Sequence, residues 1–187
     1  QGLGAHALPA SEDTDLHRRI VKRRGSEAGI REFDLGDALA DTTIVIALGD
    51  HGEGLNQHGE DEHGLLLYDE AMRVPLMVKA PGTPSPGTVS DATVATVDIL
   101  PTLFDLAGMQ PPAATSGRSF ARALRGESLP DIPVYFETQF PLTEYGWSPL
   151  HGVQRGNGKY IRAPREEYYD LGRDQGETNN LAEVSPS

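Results

Sequence analysis

The sequence predicts an α/β fold: part of a doubly wound, mostly parallel sheet, followed by a small C-terminal antiparallel sheet. Three observations carry this expectation. Residues 42–48 (TTIVIAL) and 74–79 (VPLMVK) are largely β-branched or apolar runs, as expected of parallel strands covered on both faces. Helical patterns at residues 26–39, 65–72 and 96–108 alternate with them. Beyond residue 113 the pattern changes to four short strand candidates separated by turn residues.

Residues 1–25 read as a weakly ordered segment, with the basic stretch 17–24 as a solvated face. The helix expected at 26–39 has Ser26 as its cap and Ile30, Phe33, Leu35 and Leu39 as its apolar positions. The strand 42–48 stops abruptly at Gly49-Asp50-His51-Gly52-Glu53. In open α/β sheets ligands bind beyond the carboxyl ends of strands, so the polar cluster falls where a site is expected. A glycine-rich loop, residues 52–64, leads into the short helix at 65–72. Pro75 lies at the start of the next strand, where a missing N–H is tolerated. In the helix 96–108, Pro101 fits the first turn and Gly108 the stop. The strand candidates of the last part are 134–137, 152–155, 159–163 and 168–171, with Gly156-Asn157-Gly158 as a turn between two of them. The chain thus divides into residues 1–25, an α/β part at 26–112 and an antiparallel α+β part at 113–187.

Composition removes several functions. Cysteine is absent, which excludes disulfides, thiolate metal sites and a cysteine nucleophile within these residues. A net charge of −12 disfavours nucleic-acid binding, which depends on Lys and Arg neutralising phosphates. No apolar stretch is long enough to span a membrane, and residues 1–15 contain no apolar signal-peptide core.

The chemistry concentrates between Asp50 and His63. His51, His58 and His63 are interleaved there with Asp50, Glu53, Glu60, Asp61 and Glu62. Adjacent Asp and His at a strand end can both turn toward one cation. Carboxylate oxygen with imidazole nitrogen suits Ca, Mn, Zn or Mg in different degrees. Two ligands do not complete a site, and on spacing alone a solvated polar loop is an equal alternative.

Further motifs follow in order: Asp50-His51-Gly52-Glu53-Gly54, His58-Gly59-Glu60, then His63-Gly64 with Leu67-Tyr68-Asp69-Glu70 and Arg73-Val74-Pro75-Leu76. They continue in Thr96-Val97-Asp98-Ile99-Leu100-Pro101-Thr102 and in Leu106-Ala107-Gly108. They end in Lys159-Tyr160-Ile161 and Tyr169-Asp170-Leu171, with Asp174, Glu177 and Asn180-Leu181 after it. Over residues 42–181 this order resembles the sulfatase family of the alkaline-phosphatase superfamily. The resemblance implies an alkaline-phosphatase-like fold and a metal-dependent sulfuric ester hydrolase. Asp50 and His51 match the family's pair of ligands to one divalent cation, Ca in the first place, with Mn, Mg or Zn as alternatives. His63 falls where the family contacts sulfate or phosphate oxygens, so it is the expected catalytic and substrate-binding residue. A protonated imidazole there stabilises developing negative charge. His58 is the second candidate for substrate contact, its other reading being a loop-ordering residue. Arg73 is expected to pair with Asp69 or Glu70, and residues 65–68 are expected to pack. Trp147 and His151 are expected to pack as well, their other reading being the lining of the substrate entrance, to which residues 139–150 would contribute one wall.

The family's nucleophile is a formylglycine made from Cys or Ser in a Cys/Ser-x-Pro-x-Arg motif. The nearest approach here, Ser128-Leu129-Pro130-Asp131-Ile132, lacks the Arg and reads as a loop. The resemblance therefore implies that the formylglycine and the remaining metal ligands lie upstream, and that this fragment alone is inactive. The expected partner is a small-molecule or glycan sulfate ester. A phosphate or phosphonate ester handled by a phosphodiesterase, phosphonate monoester hydrolase or phosphoglycerol-type transferase is the alternative. A non-catalytic binding domain is the third possibility.

Overall fold

The computed structural model describes residues 19–20, 33–34, 39, 41–83 and 87–182. Strands β1 (Arg19–Ile20) and β2 (Phe33–Asp34) pair antiparallel. Phe33, expected on a helix, therefore lies in a strand, in keeping with the strand preference of aromatic residues. Most of the expected helix 26–39 and of the 1–25 segment lies outside the described residues.

The first apolar run forms β3 (Val45–Leu48) and the second β4 (Leu76–Lys79). They pair antiparallel, with Val45 opposite Lys79 and Leu48 opposite Leu76. This corrects the parallel expectation: every strand pair among the described residues is antiparallel. A continuous apolar run carries no information on direction, and the expected cover on both faces is not met within these residues, where Leu48 is 42% and Met77 65% exposed. The connection between β3 and β4 holds only the four-residue helix α1 (Asp69–Met72). Parallel neighbours require a longer crossover that traverses the sheet.

A 3-10 turn at Thr96–Asp98 leads into α2 (Ile99–Leu106). The buried Asp98 carboxylate accepts the N–H of Ala95 at 2.9 Å and of Arg118 at 2.8 Å. Thr102, fully buried, donates to the Asp98 carbonyl at 2.6 Å and accepts the N–H of Phe120 at 3.0 Å. The Thr-Val-Asp-Ile-Leu-Pro-Thr motif is thus a local polar clamp that holds residues 118–120 against the helix. Pro101 lies in the first turn, where its missing N–H costs nothing.

The last part is a four-stranded antiparallel sheet in the order β5-β6-β7-β8. Its strands are β5 (Val134–Thr138), β6 (Leu150–Arg155), β7 (Gly158–Arg162) and β8 (Glu167–Asp170). The expected turn after Arg155 is present, and Asp131 caps it by accepting the Gly156 N–H at 3.2 Å. The Ser128–Pro130 segment is a loop, as expected. A short helix, α3 (Phe140–Tyr145), between β5 and β6 has no counterpart in the sequence expectation.

The core lies on one face of this sheet. Leu150, Ile161 and Tyr169 close on Leu67, and Leu66, Tyr68 and Phe136 pack around them. The residues 66–68 expected to be core are therefore core, and they seat the site-bearing loop on the C-terminal sheet. Burying side chains of this size stabilises by roughly 1.5–3 kcal/mol each. Among the described residues no helix is long and apolar enough to cross a membrane.

Candidate active site

Asp50 to His63 follow β3 directly and fold back over α1. The Gly52 N–H donates to the Ala71 carbonyl at 2.8 Å, and the Glu53 N–H to the Glu70 carbonyl at 2.9 Å. A side chain at Gly52 would place its Cβ 1.9 Å from the Glu70 carbonyl oxygen, and one at Gly54 would lie 2.4 Å from that of Glu60. The motif needs these two glycines because backbone meets backbone there. The loop then closes on itself: Gly54 N–H to Glu62 at 2.7 Å and Asn56 N–H to Glu60 at 2.8 Å. The buried Glu60 carboxylate accepts the N–H groups of Leu65 at 2.6 Å and Leu66 at 3.0 Å, which fastens both ends of the segment containing His63.

Asp50 projects its carboxylate into solvent, 92% exposed. Hydrogen bonds from backbone N–H groups of Asp50 and His51, followed by the charge of His51, hold it below the usual carboxylate range. It is an anion at any physiological pH. The His51 Nδ1–H donates to the Gly52 carbonyl at 2.8 Å. That bond fixes the ring and leaves Nε2 on its open edge, the orientation device common to metal-binding histidines. His51 Nε2 and Asp50 Oδ1 are 3.8 Å apart. This separation suits two ligands of one cation at metal–ligand distances of about 2.0–2.5 Å, so the pair fits a divalent metal. Among the described residues, no third His, Cys, Asp or Glu joins them in a metal-binding group.

His63 stacks on His51, with ring centroids 3.5 Å apart and planes inclined by 21°. Its Nδ1–H donates to Glu53 Oε1 at 3.2 Å, which leaves Nε2 on the other edge. The structure thus brings Asp50, His51 and His63 together, with Glu53 as the residue that orients His63.

His58 has both ring nitrogens engaged within the fold. Nδ1 pairs with the Glu70 carboxylate, and Nε2 donates to the Glu177 carbonyl at 3.2 Å. Its ring stacks on Tyr68 at 3.7 Å. Burial opposes its charge, but the hydrogen bond and the field of Glu70 outweigh burial and raise its pKa above the ordinary 6.5. Tyr68 donates to Glu167 at 2.8 Å, and burial, with Glu167 adding, pushes its hydroxyl up to about 12.

Beneath this layer Lys159 is completely buried, with Nζ 2.9 Å from Asp69 Oδ1 and 2.7 Å from Glu177 Oε1. The Glu177 carboxylate also accepts the Asp69 N–H at 2.5 Å. The partners expected for Arg73 are therefore taken: Asp69 by Lys159 and Glu70 by His58. Sequence reasoning missed Glu53, Glu70, Lys159 and Glu177 as supports of the site. Lys159 and Glu177 stood in the recognised motifs, but pairings across 90 or 108 residues leave no trace in local spacing. Trp147, expected to pack, is instead 61% exposed.

Residues 61–186 match the family described as N-sulphoglucosamine sulphohydrolase, C-terminal. A Delta 4,5-hexuronate-2-O-sulfatase of Bacteroides thetaiotaomicron is 36% identical over 146 residues, which are 75% of this chain and 30% of that protein. A solved structure of a protein in complex with its substrate, D-glucosamine-2-N,6-O-disulfate, superposes with a TM-score of 0.66 at 27% identity, over 76% of this chain and 30% of the other. A phosphonate monoester hydrolase of Silicibacter pomeroyi superposes with a TM-score of 0.64 at 26% identity, over 78% of this chain and 32% of the other. The chain therefore spans about a third of the length of these relatives. Ordered motifs, an Asp-His pair at a strand end and a family match over most of its length place this chain in the sulfatase family of the alkaline-phosphatase superfamily.

Proposed function

We propose that this chain supplies the Asp-His half of the metal site and an anion contact in a metal-dependent sulfuric ester hydrolase acting on a sulfated glycan. The single observation that carries the reading is the Asp50–His51 pair. Its carboxylate is held ionised, and its imidazole is fixed by Gly52 with Nε2 facing the carboxylate at 3.8 Å. Asp50 and His51 would hold one divalent cation, Ca in the first place, which supplies Lewis-acid polarisation of the sulfate oxygens. Glu53 orients His63 through Nδ1, so that the ring turns its Nε2 edge toward a sulfate oxygen. His58 acts from behind, by fixing the loop on α1 and on the C-terminal segment.

In this reading a formylglycine nucleophile, the remaining metal ligands and the parallel part of the sheet are contributed by polypeptide outside these 187 residues. The known activity of the hexuronate sulfatase and the glucosamine disulfate of the solved complex support a glycan ester as substrate. The phosphonate monoester hydrolase likeness supports the second reading, hydrolysis of a phosphate or phosphonate ester on the same residues.

Calorimetric titration of the chain with Ca²⁺ and Mn²⁺ tests the metal half. Weak one-site binding is expected, lost in Asp50→Ala; unchanged heats in the variant would remove the metal assignment. With added metal, the chain alone should turn over neither an aryl sulfate nor an aryl phosphate. Metal-dependent turnover by these residues alone would show that the site is complete within them. Joined to its preceding coding sequence, the protein should prefer the sulfate ester, and a preference for the phosphate ester selects the second reading.

A further inference from the structure

Phe140, Tyr145 and Trp147 are 42%, 53% and 61% exposed although they fall within eight residues of one another. Such a grouping of large rings at the surface of these residues marks a contact surface. The rings are ordered among themselves. Tyr145 stacks on Trp147 with centroids 4.8 Å apart and planes at 26°, and Phe140 meets Tyr145 edge-on at 6.2 Å. The backbone under them is fixed as well. Gly146 ends α3 in the left-handed conformation, and its N–H and that of Trp147 return to the carbonyls of Leu142 and Pro141, both at 3.0 Å.

The row is fastened to the residue that follows His63. The Thr138 hydroxyl donates to the Gly64 carbonyl, and the Phe140 ring lies 3.7 Å from the point where a Gly64 Cβ would stand. The aromatic row therefore begins at Phe140, against the residue that follows His63.

We infer that this row is the platform on which the pyranose ring of a sulfated sugar stacks while its sulfate is held at His63; the inference rests on the function proposed above. A pyranose has an apolar C–H face and a polar rim. Trp and Tyr match it with an apolar face and a polar edge. The anion is held at the cation and His63, so the platform has only the uncharged face of the sugar to bind. The acidity of the chain, net −12, argues against a nucleobase stacked on the same rings.

Trp147 is the sole tryptophan, so its emission reports on the platform directly. The chain is titrated, with Ca²⁺ present, with D-glucosamine-2-N,6-O-disulfate and with a 2-O-sulfated hexuronate disaccharide, alongside their unsulfated forms. A saturable change in Trp147 emission, shifted to shorter wavelength, is expected, with the sulfated forms binding about tenfold more tightly. Tyr145→Ala, checked for folding by circular dichroism, should weaken the response severalfold by removing the ring behind Trp147. Emission unchanged by every sugar overturns the platform. A response equal for sulfated and unsulfated sugars, and indifferent to Asp50→Ala, keeps the platform and removes the anion-site reading.

Discussion

At the scale of single residues, His58 shows how a side chain can serve a site without facing it. Its ring is held between Glu70, the Glu177 carbonyl and the face of Tyr68. Because its folded pKa lies above the ordinary 6.5, the charged pair stabilises fully below pH 6.5 and less as pH rises through the folded value. The melting temperature should therefore fall as pH rises above about 6.5, and His58→Gln should flatten that slope. A slope unchanged in the variant would place the titrating group elsewhere. The grouping of Asp50, His51 and His63 was legible in the sequence because it is local: a strand end, a tight turn, a neighbour twelve residues on. Glu53 was not, since nothing in an isolated carboxylate says which of several nearby imidazoles it orients.

At the scale of elements, α1 is too short to stand alone, since isolated helices of this length are unstable in water. Lys159 on β7 and Glu177 hold it, through Asp69, to the C-terminal sheet. Burial raises the pKa of Glu177, and the hydrogen bond and charge of Lys159 oppose that rise. Removing the lysine leaves a carboxylate buried without its partner. Lys159→Ala should lower stability by about 3–5 kcal/mol, and adding Glu177→Gln should recover part of the loss. Denaturant unfolding of the two variants measures both effects, and a double variant no better than the single would argue against an unpaired charge as the cause. The antiparallel sheet was readable element by element, because turn residues and strand propensity are written locally. The direction of β3 and β4 was not, because an apolar run looks alike in sequence whichever way the neighbour runs. The helix α3 escaped because Phe140-Pro141-Leu142 has no helical period of its own, and its shape is imposed by Pro141 at the start and Gly146 at the end.

At the scale of the whole molecule, the C-terminal signature becomes a strap across the sheet. The Asp174 carboxylate accepts the N–H groups of Thr178 at 3.1 Å and Asn179 at 2.8 Å, which turns the chain. Asn180 Oδ1 accepts the Tyr168 N–H at 3.0 Å, and the Leu181 N–H donates to the Tyr168 carbonyl at 2.8 Å. Ending the chain at residue 172 removes this strap, the Glu177 carboxylate and the carbonyl that holds His58. Amide exchange in the 52–64 loop should then accelerate at least tenfold while the pairing of β5 with β6 keeps its protection. Equal exchange in both chains would show that the loop stands without the strap.

The bond from His58 to the Glu177 carbonyl joins residues 119 positions apart. A ribosome makes the Asp-His pair long before it makes the residue that braces the loop behind it. The loop can take its final form only after Glu177 has been synthesised, so a contact of this range delays the settling of the Asp-His segment well beyond its own synthesis.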